Sequence, residues 1–263
     1  MGADSSAKLA LVVAPFADES APTGEVNLTI QPAFVTTPDD PPHSFAHQQR
    51  DFVDWHRHRP YYLLWALELD QPAVAARFSL GQAHLAGELL PDYRRQPHVT
   101  VSLCGFPQQS PQAPDEFGPA TLAAQLHALQ TLALAPFSIQ IGAMDSFLAA
   151  PYLQVSDHGQ LQQLHRALAI APPPGADIAY QPHLTLGLYR HRKPMSLLGA
   201  LIDRFAPQPA LTLPIEQLSL LAYASQDIAG PLTTVARYSF VDQRLRPAAM
   251  QLLPFALETD GVR

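Results

Sequence analysis

The feature that most constrains this chain is an octapeptide that occurs twice. Residues 96–103 read QPHVTVSL and residues 181–188 read QPHLTLGL, so the copies share Gln, Pro, His, Thr and the final Leu. Apolar and polar residues alternate in both copies, and both are rich in Val, Leu and Thr, which predicts two β-strands. Because side chains alternate between the faces of a strand, each copy presents its His and its Thr on one face. Two such strands side by side would place two His and two Thr in one cleft.

The same alternation predicts which side chains enter the core. The set expected to be buried comprises Val99, Val101, Leu103, Leu184, Leu186 and Leu188. The set expected on the polar face comprises His98, Thr100, Ser102, Cys104, His183 and Thr185. A Ser or Cys nucleophile activated by His98 is disfavoured, because Ser102 and Cys104 would lie about 13 and 20 Å away along the strand.

A regular order of elements surrounds each octapeptide: a strand, a helix, the His strand, a second helix and a second strand. In the first half the flanking elements are predicted at 61–69, 72–90, 121–134 and 137–144. In the second half they are predicted at 152–155, 158–170, 196–205 and 215–223, and a final strand at 233–241. The octapeptides thus belong to an internal duplication.

The rest of the chain divides into three parts around this duplication. Residues 1–60 are predicted to form a Pro-rich N-terminal extension, residues 61–242 the duplicated domain, and residues 243–263 a C-terminal tail. Within the extension we expect short strands at 9–13 and 26–30 and a helical stretch from His43 to about His58.

Composition limits the partners of the chain. The net charge is −7, from 16 basic and 23 acidic residues, which argues against binding to duplex DNA. No apolar run is long enough for a membrane span, so we expect no membrane partner. Cys104 is the only cysteine, so no intrachain disulfide can form, and a reducing, cytoplasmic location and a monomer are the expectation.

Two His and two Thr across one cleft suit phosphodiester chemistry. A neutral imidazole can accept a proton from an attacking hydroxyl while an imidazolium donates one to the leaving oxygen. Threonine hydroxyls can donate to the non-bridging phosphate oxygens. This scheme requires no metal and no cofactor.

The paired motifs HVTV and HLTL resemble those of the 2H (two-histidine) phosphoesterase superfamily, in particular the RNA 2',3'-cyclic phosphodiesterase and 2'-5' RNA ligase group. The resemblance covers about residues 61–242. It implies a bilobal α+β fold, with two antiparallel-type sheets flanked by helices around a central groove. It also implies that His98 and His183 are the acid–base pair, that Thr100 and Thr185 bind phosphate, and that no metal is bound.

The resemblance further implies that the substrate is the 2',3'-cyclic phosphate of an RNA end or a small nucleotide, or RNA ends joined through a 2'-5' bond. Which His is the base, and whether the product carries a 2' or 3' phosphate, stays open. The segment DSFLAAPYLQV resembles an aromatic segment of the family, so Phe147 and Tyr152 are expected to stack on a base. Tyr180 and Arg94 are further candidates for substrate binding. Arg95, Arg190 and Arg192 also lie near the ends of the His strands, where any of them could contact a phosphate or form part of the solvated surface.

Three other interpretations stay open at this point. The same fold could bind nucleotides without turnover, or the Pro-rich segments could make the chain an interaction domain. A zinc site is a weaker alternative, because no Glu completes an HExxH pattern. Its candidate ligands are His43, His47, His56 and His58.

Overall fold

The computed structural model describes residues 42–174 and 179–256, and the strands predicted at 9–13 and 26–30 lie outside these described residues. The strands are β1 (Tyr61–Glu68), β2 (His98–Pro107), β3 (Glu116–Phe117), β4 (Phe137–Ser146), β5 (Pro151–Ser156), β6 (His183–Thr185), β7 (Leu211–Ile215), β8 (Gln217–Ala224), β9 (Thr233–Ser239) and β10 (Arg244–Pro247). The helices are α1 (Val53–His56), α2 (Pro72–His84), α3 (Pro119–Leu132), α4 (Gln160–Leu168) and α5 (Met195–Ile202). The α+β class predicted from the sequence is confirmed.

The strands form one path in the order β10-β9-β8-β1-β2-β6-β5-β4-β7, with the short β3 paired to β2. All neighbours along that path are antiparallel, and β2 and β6 are joined through the single pair Val99 and Leu184. The two predicted sheets are therefore two half-sheets that meet where the two His strands touch. The octapeptides lie at the centre of the molecule.

The last strand of each sequence repeat lies in the half-sheet of the other repeat. Strand β4 follows the first His strand in sequence but pairs with β5, while β8 follows the second His strand and pairs with β1. Only residues 147–150 separate β4 from β5, and so short a connection favours an antiparallel hairpin. This exchange of β4 and β8 interlocks the two halves.

The four longer helices cover one face of the sheet. Their buried residues, among them Val74 of α2, Leu122 of α3, Leu161 of α4 and Leu198 of α5, belong to one hydrophobic cluster with the inward residues of the strands. This leaves the other face of the sheet for the segment before β1 and for the cleft described below.

The predicted helix from His43 to His58 is wrong except at α1. Residues 44, 45 and 47 donate backbone hydrogen bonds to Lys193, Leu148 and Tyr189, so their amides are used in tertiary contacts rather than in a helix. Arg59 fixes the end of the segment, since its guanidinium lies 3.6 Å from the centre of the Phe106 ring and 2.7 Å from a carboxylate oxygen of Asp115.

The C-terminal segment also contacts the domain, through β10 on β9 and through Leu253 and Phe255 in the main hydrophobic cluster. Among the helices of residues 42–174 and 179–256, none has both the length and the apolar character needed to cross a membrane.

Candidate active site

The face of the sheet opposite the helices carries a cleft at the junction of β2 and β6. His98, Thr100, His183 and Thr185 all line it, so the structure brings the four predicted side chains together. The remaining lining residues are Leu64, Tyr93, Arg95, Leu103, Leu188, Tyr223 and Ile228. None of these described lining residues is acidic.

The two imidazoles are held in the same way. Nδ1 of His98 lies 2.8 Å from the carbonyl oxygen of Gln96, and Nδ1 of His183 lies 2.7 Å from that of Gln181. A carbonyl oxygen can only accept, so Nδ1 carries the hydrogen in both rings. In each neutral imidazole Nε2 is then the nitrogen with a free lone pair, ready to accept or return a proton.

Burial lowers the pKa of both imidazoles, because removal from water disfavours the charged form. The pKa of His98 falls to about 4: desolvation is the main cause, the positive charges of Arg95 and His183 add to it, and the bond to Gln96 opposes it. The pKa of His183 is also lowered by desolvation, against the bond to Gln181. Both rings are therefore neutral at pH 7 in the cleft as it stands.

Strand β2 contains a β-bulge that corrects part of the predicted burial. Trp65 pairs with Ser102 but the next residue, Ala66, pairs with Thr100, so Val101 is the extra residue. Beyond the bulge the faces exchange: Leu103 lines the cleft, and Cys104 enters the main hydrophobic cluster. The prediction that Ser102 and Cys104 share the face of His98 is wrong.

The second octapeptide shows the same departure, since β6 ends at Thr185 and Leu188 lines the cleft. Leu103 and Leu188 hold equivalent places in the two octapeptides, so the predicted face is wrong for both in the same way. The duplication therefore supplies an equivalent pair of leucines to the cleft as well as the pair of histidines.

A family model described as the 2'-5' RNA ligase superfamily matches residues 69–227. The chain belongs to this superfamily. Membership indicates chemistry of the phosphoesterase or RNA-ligase type.

Similar solved structures share low identity with the chain. TT0787 of Thermus thermophilus is 19% identical over 68% of this chain and 97% of that one, with a TM-score of 0.44. E. coli LigT in complex with 3'-AMP is 15% identical over 68% and 98%, with a TM-score of 0.44. Usb1 of Kluyveromyces marxianus is 12% identical over 67% and 97%, with a TM-score of 0.43. A comparison with curated proteins gave no match.

Phe147 and Tyr152 lie behind His183 in this superfamily member, not in the open cleft. Their rings stack with centroids 4.1 Å apart, and the Phe147 centroid lies 4.9 Å from that of His183, edge to face. Both are buried, with exposed fractions of 2% and 0%. The expectation that they stack on a base does not fit this placement, because the faces of their rings are covered by protein. They fix the plane of the His183 imidazole instead.

Tyr180 contacts the backbone of β2 where this strand is not paired with β6. Its hydroxyl donates to the carbonyl of Thr100 at 3.1 Å, and its ring lies parallel to that of His165 at 4.3 Å. Nδ1 of His165 donates in turn to the carbonyl of Val101 at 2.7 Å. These side chains satisfy carbonyls of β2 that β6 leaves unpaired, so Tyr180 contacts the strand backbone and does not line the cleft.

The cation in the cleft is Arg95, not Arg94. The Arg94 side chain is 58% exposed and forms an ion pair with Asp227 outside the cleft, which corrects its predicted place in the site. Arg95 lines the cleft, with its guanidinium carbon 4.1 Å from the centre of the Tyr223 ring. The alternation in β2 gave no signal for Arg95, because it precedes the strand.

Within residues 42–174 and 179–256, no group of three or more His, Cys, Asp or Glu side chains is placed to hold a metal ion. Two histidines of the zinc alternative make other contacts. Nδ1 of His47 contacts the carbonyl of Tyr189, and Nε2 of His56 lies 2.5 Å from Asp51.

Proposed function

We propose that the protein is a metal-independent phosphoesterase that opens the 2',3'-cyclic phosphate of an RNA end or a nucleotide. The observation that carries the proposal is the symmetry of the cleft. Each His is turned by a main-chain carbonyl so that Nε2 is available, and each has a Thr two residues further on the same face.

In this reaction one neutral imidazole accepts a proton from water as the water oxygen attacks phosphorus. The bond from phosphorus to one ribose oxygen breaks, and the second His, as imidazolium, gives that oxygen its proton. The hydroxyls of Thr100 and Thr185 donate to the two non-bridging oxygens, which carry the negative charge. The product is a ribose monoester, and exchange of one proton with solvent restores the pair.

The lowered pKa of both rings makes the substrate itself part of this mechanism. Burial by the protein keeps both imidazoles neutral at pH 7, because it lowers the pKa of both rings. An anionic phosphate between them favours the charged form of one ring and raises its pKa. Binding thus creates the state with one base and one acid.

The same geometry also suits ligation. The 5' hydroxyl of a second RNA, in place of water, would attack the cyclic phosphate, so that a bond forms between phosphorus and the 5' oxygen while the bond from phosphorus to one ribose oxygen breaks. Loss of the 3' oxygen leaves a 2'-5' bond, with one His as the base and the other giving its proton to the leaving oxygen, as in hydrolysis.

The experiment is turnover of nucleoside 2',3'-cyclic monophosphates and of a short RNA with a cyclic-phosphate end, in EDTA. The variants are His98→Asn and His183→Asn, since an Asn amide nitrogen can keep the bond to the Gln carbonyl while Nε2 is lost. We expect turnover in EDTA that disappears in both variants. Binding of a nucleoside monophosphate with no turnover of any cyclic phosphate would instead identify a nucleotide-binding module.

A further inference from the structure

The cleft is symmetric in its His, Thr and Leu residues but not at the position three residues before each His. Arg95 occupies that position before His98, and Tyr180 occupies it before His183. Arg95 lines the cleft, whereas Tyr180 packs on His165 and bonds to the backbone of β2. Comparison of the two halves therefore shows one additional cation in the cleft, on the His98 side.

Arg95 has no counter-charge among the described residues. Its sequence neighbour Arg94, in contrast, is paired with Asp227. Arg95 instead faces the ring of Tyr223, and its Nε is buried without a hydrogen-bond partner in the part of the chain that the structure describes. A partly buried guanidinium without a counter-charge, and with one N–H unsatisfied, is costly unless an anion completes its hydrogen bonds.

In the proposed mechanism the reacting phosphate has its donors already, in the two Thr hydroxyls and the one imidazolium. The additional guanidinium therefore suits a different anionic group of the same ligand. Three residues of extended chain separate the Cα atoms of Arg95 and His98 by at most about 10 Å. Side chains this close can contact two phosphates carried by one nucleoside.

We propose that Arg95 binds a second phosphate of the substrate, the one on the 5' oxygen of the nucleoside that carries the cyclic phosphate. This proposal rests on the proposed function and specifies its substrate class. The preferred substrates carry a 5' phosphate group, either as a 5'-phosphorylated nucleoside 2',3'-cyclic phosphate or as the last nucleotide of an RNA chain. A nucleoside 2',3'-cyclic monophosphate with a free 5' hydroxyl lacks this contact.

The kinetic test compares three substrates: adenosine 2',3'-cyclic phosphate, its 5'-phosphorylated form, and a dinucleotide that ends in a cyclic phosphate. We expect kcat/KM to be about 10- to 100-fold higher for the second or third than for the first. In Arg95→Gln that preference disappears, so kcat/KM for the second and third substrates falls to the value that the same variant shows for the first. A preference for the second alone identifies small nucleotides, and a preference for the third identifies RNA ends.

The matched control is Arg190→Gln, which removes one Arg near the second motif from outside the cleft and leaves the preference intact. Arg95→Lys restores part of the preference, because it keeps the charge without the fork of donors. An equal loss in Arg95→Gln on all three substrates, or no loss on any, overturns the proposal while the proposed function stands.

A binding measurement separates the two proposals if no substrate is turned over. Calorimetry with adenosine 3',5'-bisphosphate and with adenosine 3'-monophosphate should show tighter binding of the bisphosphate, by about tenfold or more. Arg95→Gln should bind both ligands equally. This result without turnover would overturn the proposed hydrolysis and retain the second phosphate site, whereas equal binding of both ligands by the unaltered protein overturns that site.

Discussion

Both halves of the cleft position a His through a Gln, but the Gln side chain is held by different contacts in the two halves. On the His98 side the side chain of Gln96 bonds to the backbone of Leu232 through both its oxygen, at 2.9 Å, and its nitrogen, at 3.1 Å. On the His183 side the side chain of Gln181 donates to the hydroxyl of Tyr152 at 2.8 Å. In both halves the main-chain carbonyl of this Gln accepts the hydrogen bond from Nδ1 of the His.

This difference shows what the duplication has kept. The Gln carbonyl, the imidazole and the Thr are repeated, whereas the contacts that hold them come from a loop in one half and from aromatic rings in the other. Within the repeated part, the imidazole and the Thr are the groups that would contact a phosphate under the proposed function. Each half can therefore be weakened separately, and the effects compared.

The largest effect is expected from the histidines themselves. His98→Asn and His183→Asn should each lower kcat/KM by about 10³-fold, because each removes one proton transfer. The double variant should be little worse than either single one, since the two rings act as a unit in one step. Steady-state kinetics on one cyclic phosphate would measure all three. If one single variant kept most of the activity, the functional symmetry of the halves would be broken.

The threonines should contribute equally from the two halves. Thr100→Val and Thr185→Val each remove one donor to the phosphate, and we expect a fall of about 10²-fold in kcat. Valine has a similar shape and favours strands, so the fold should persist. Thr→Ser at the same positions keeps the hydroxyl and serves as the control. Unequal losses would show that the phosphate is bound off the axis between the strands.

The sequence predicted this core of the site because the alternation holds from His98 to Thr100. The period of two cannot reveal the bulge at Val101, which depends on the pairing of β2 with β1, so the predicted faces of Ser102 and Leu103 were wrong. Repeated motifs also cannot reveal which half-sheet the last strand of each repeat joins. Tyr223, on the exchanged strand β8, was therefore missed as part of the cleft.

The choice between neighbouring arginines shows the same limit. Arg94 and Arg95 precede the first strand, where neither alternation nor helical periodicity sorts side chains. The ion pair of Arg94 with Asp227, 133 residues away in sequence, decides which of the two faces the cleft. Phe147 and Tyr152 were placed beside His183 by the hairpin of β4 and β5, a tertiary feature that turns expected base-stacking rings into buried supports.

A smaller effect on kcat is expected from Gln96 and Gln181, and it should differ between the two. Gln96→Leu removes two hydrogen bonds to Leu232, whereas Gln181→Leu removes one to Tyr152, whose hydroxyl still donates to Asp145 at 3.0 Å. We expect kcat to fall about fivefold for Gln96→Leu and about twofold for Gln181→Leu, with KM nearly unchanged. Gln→Met at either position also removes the side-chain amide but keeps an unbranched chain of similar length. It should therefore give the same loss as Gln→Leu if the hydrogen bonds, and not the side-chain shape, decide kcat. Equal losses would contradict the assignment of unequal supports.

The smallest effect is the dependence of stability on pH. Folding lowers the pKa of His98 to about 4 from 6.5, so the folded state favours the neutral ring, and this contribution is present above pH 6.5 and lost as pH falls towards 4. Between pH 7 and pH 6 one such His costs about 0.7 kcal/mol of the free energy of unfolding. His98→Asn should reduce the pH dependence of stability by about this amount, measured by urea unfolding at the two pH values.

Variants at His183 and His47 serve as controls for this pH dependence of stability. The pKa of His183 is lowered in the same direction, so His183→Asn should also flatten the dependence, and His47→Asn should do so from outside the cleft, since burial lowers the pKa of His47 to about 4. Arg95 stands beside His98 alone, so Arg95→Gln should raise the pKa of His98 and leave that of His183 nearly unchanged. Titration of the two ring resonances by NMR would test this directly, and equal shifts of both rings would mean that Arg95 acts on the cleft as a whole rather than on one half.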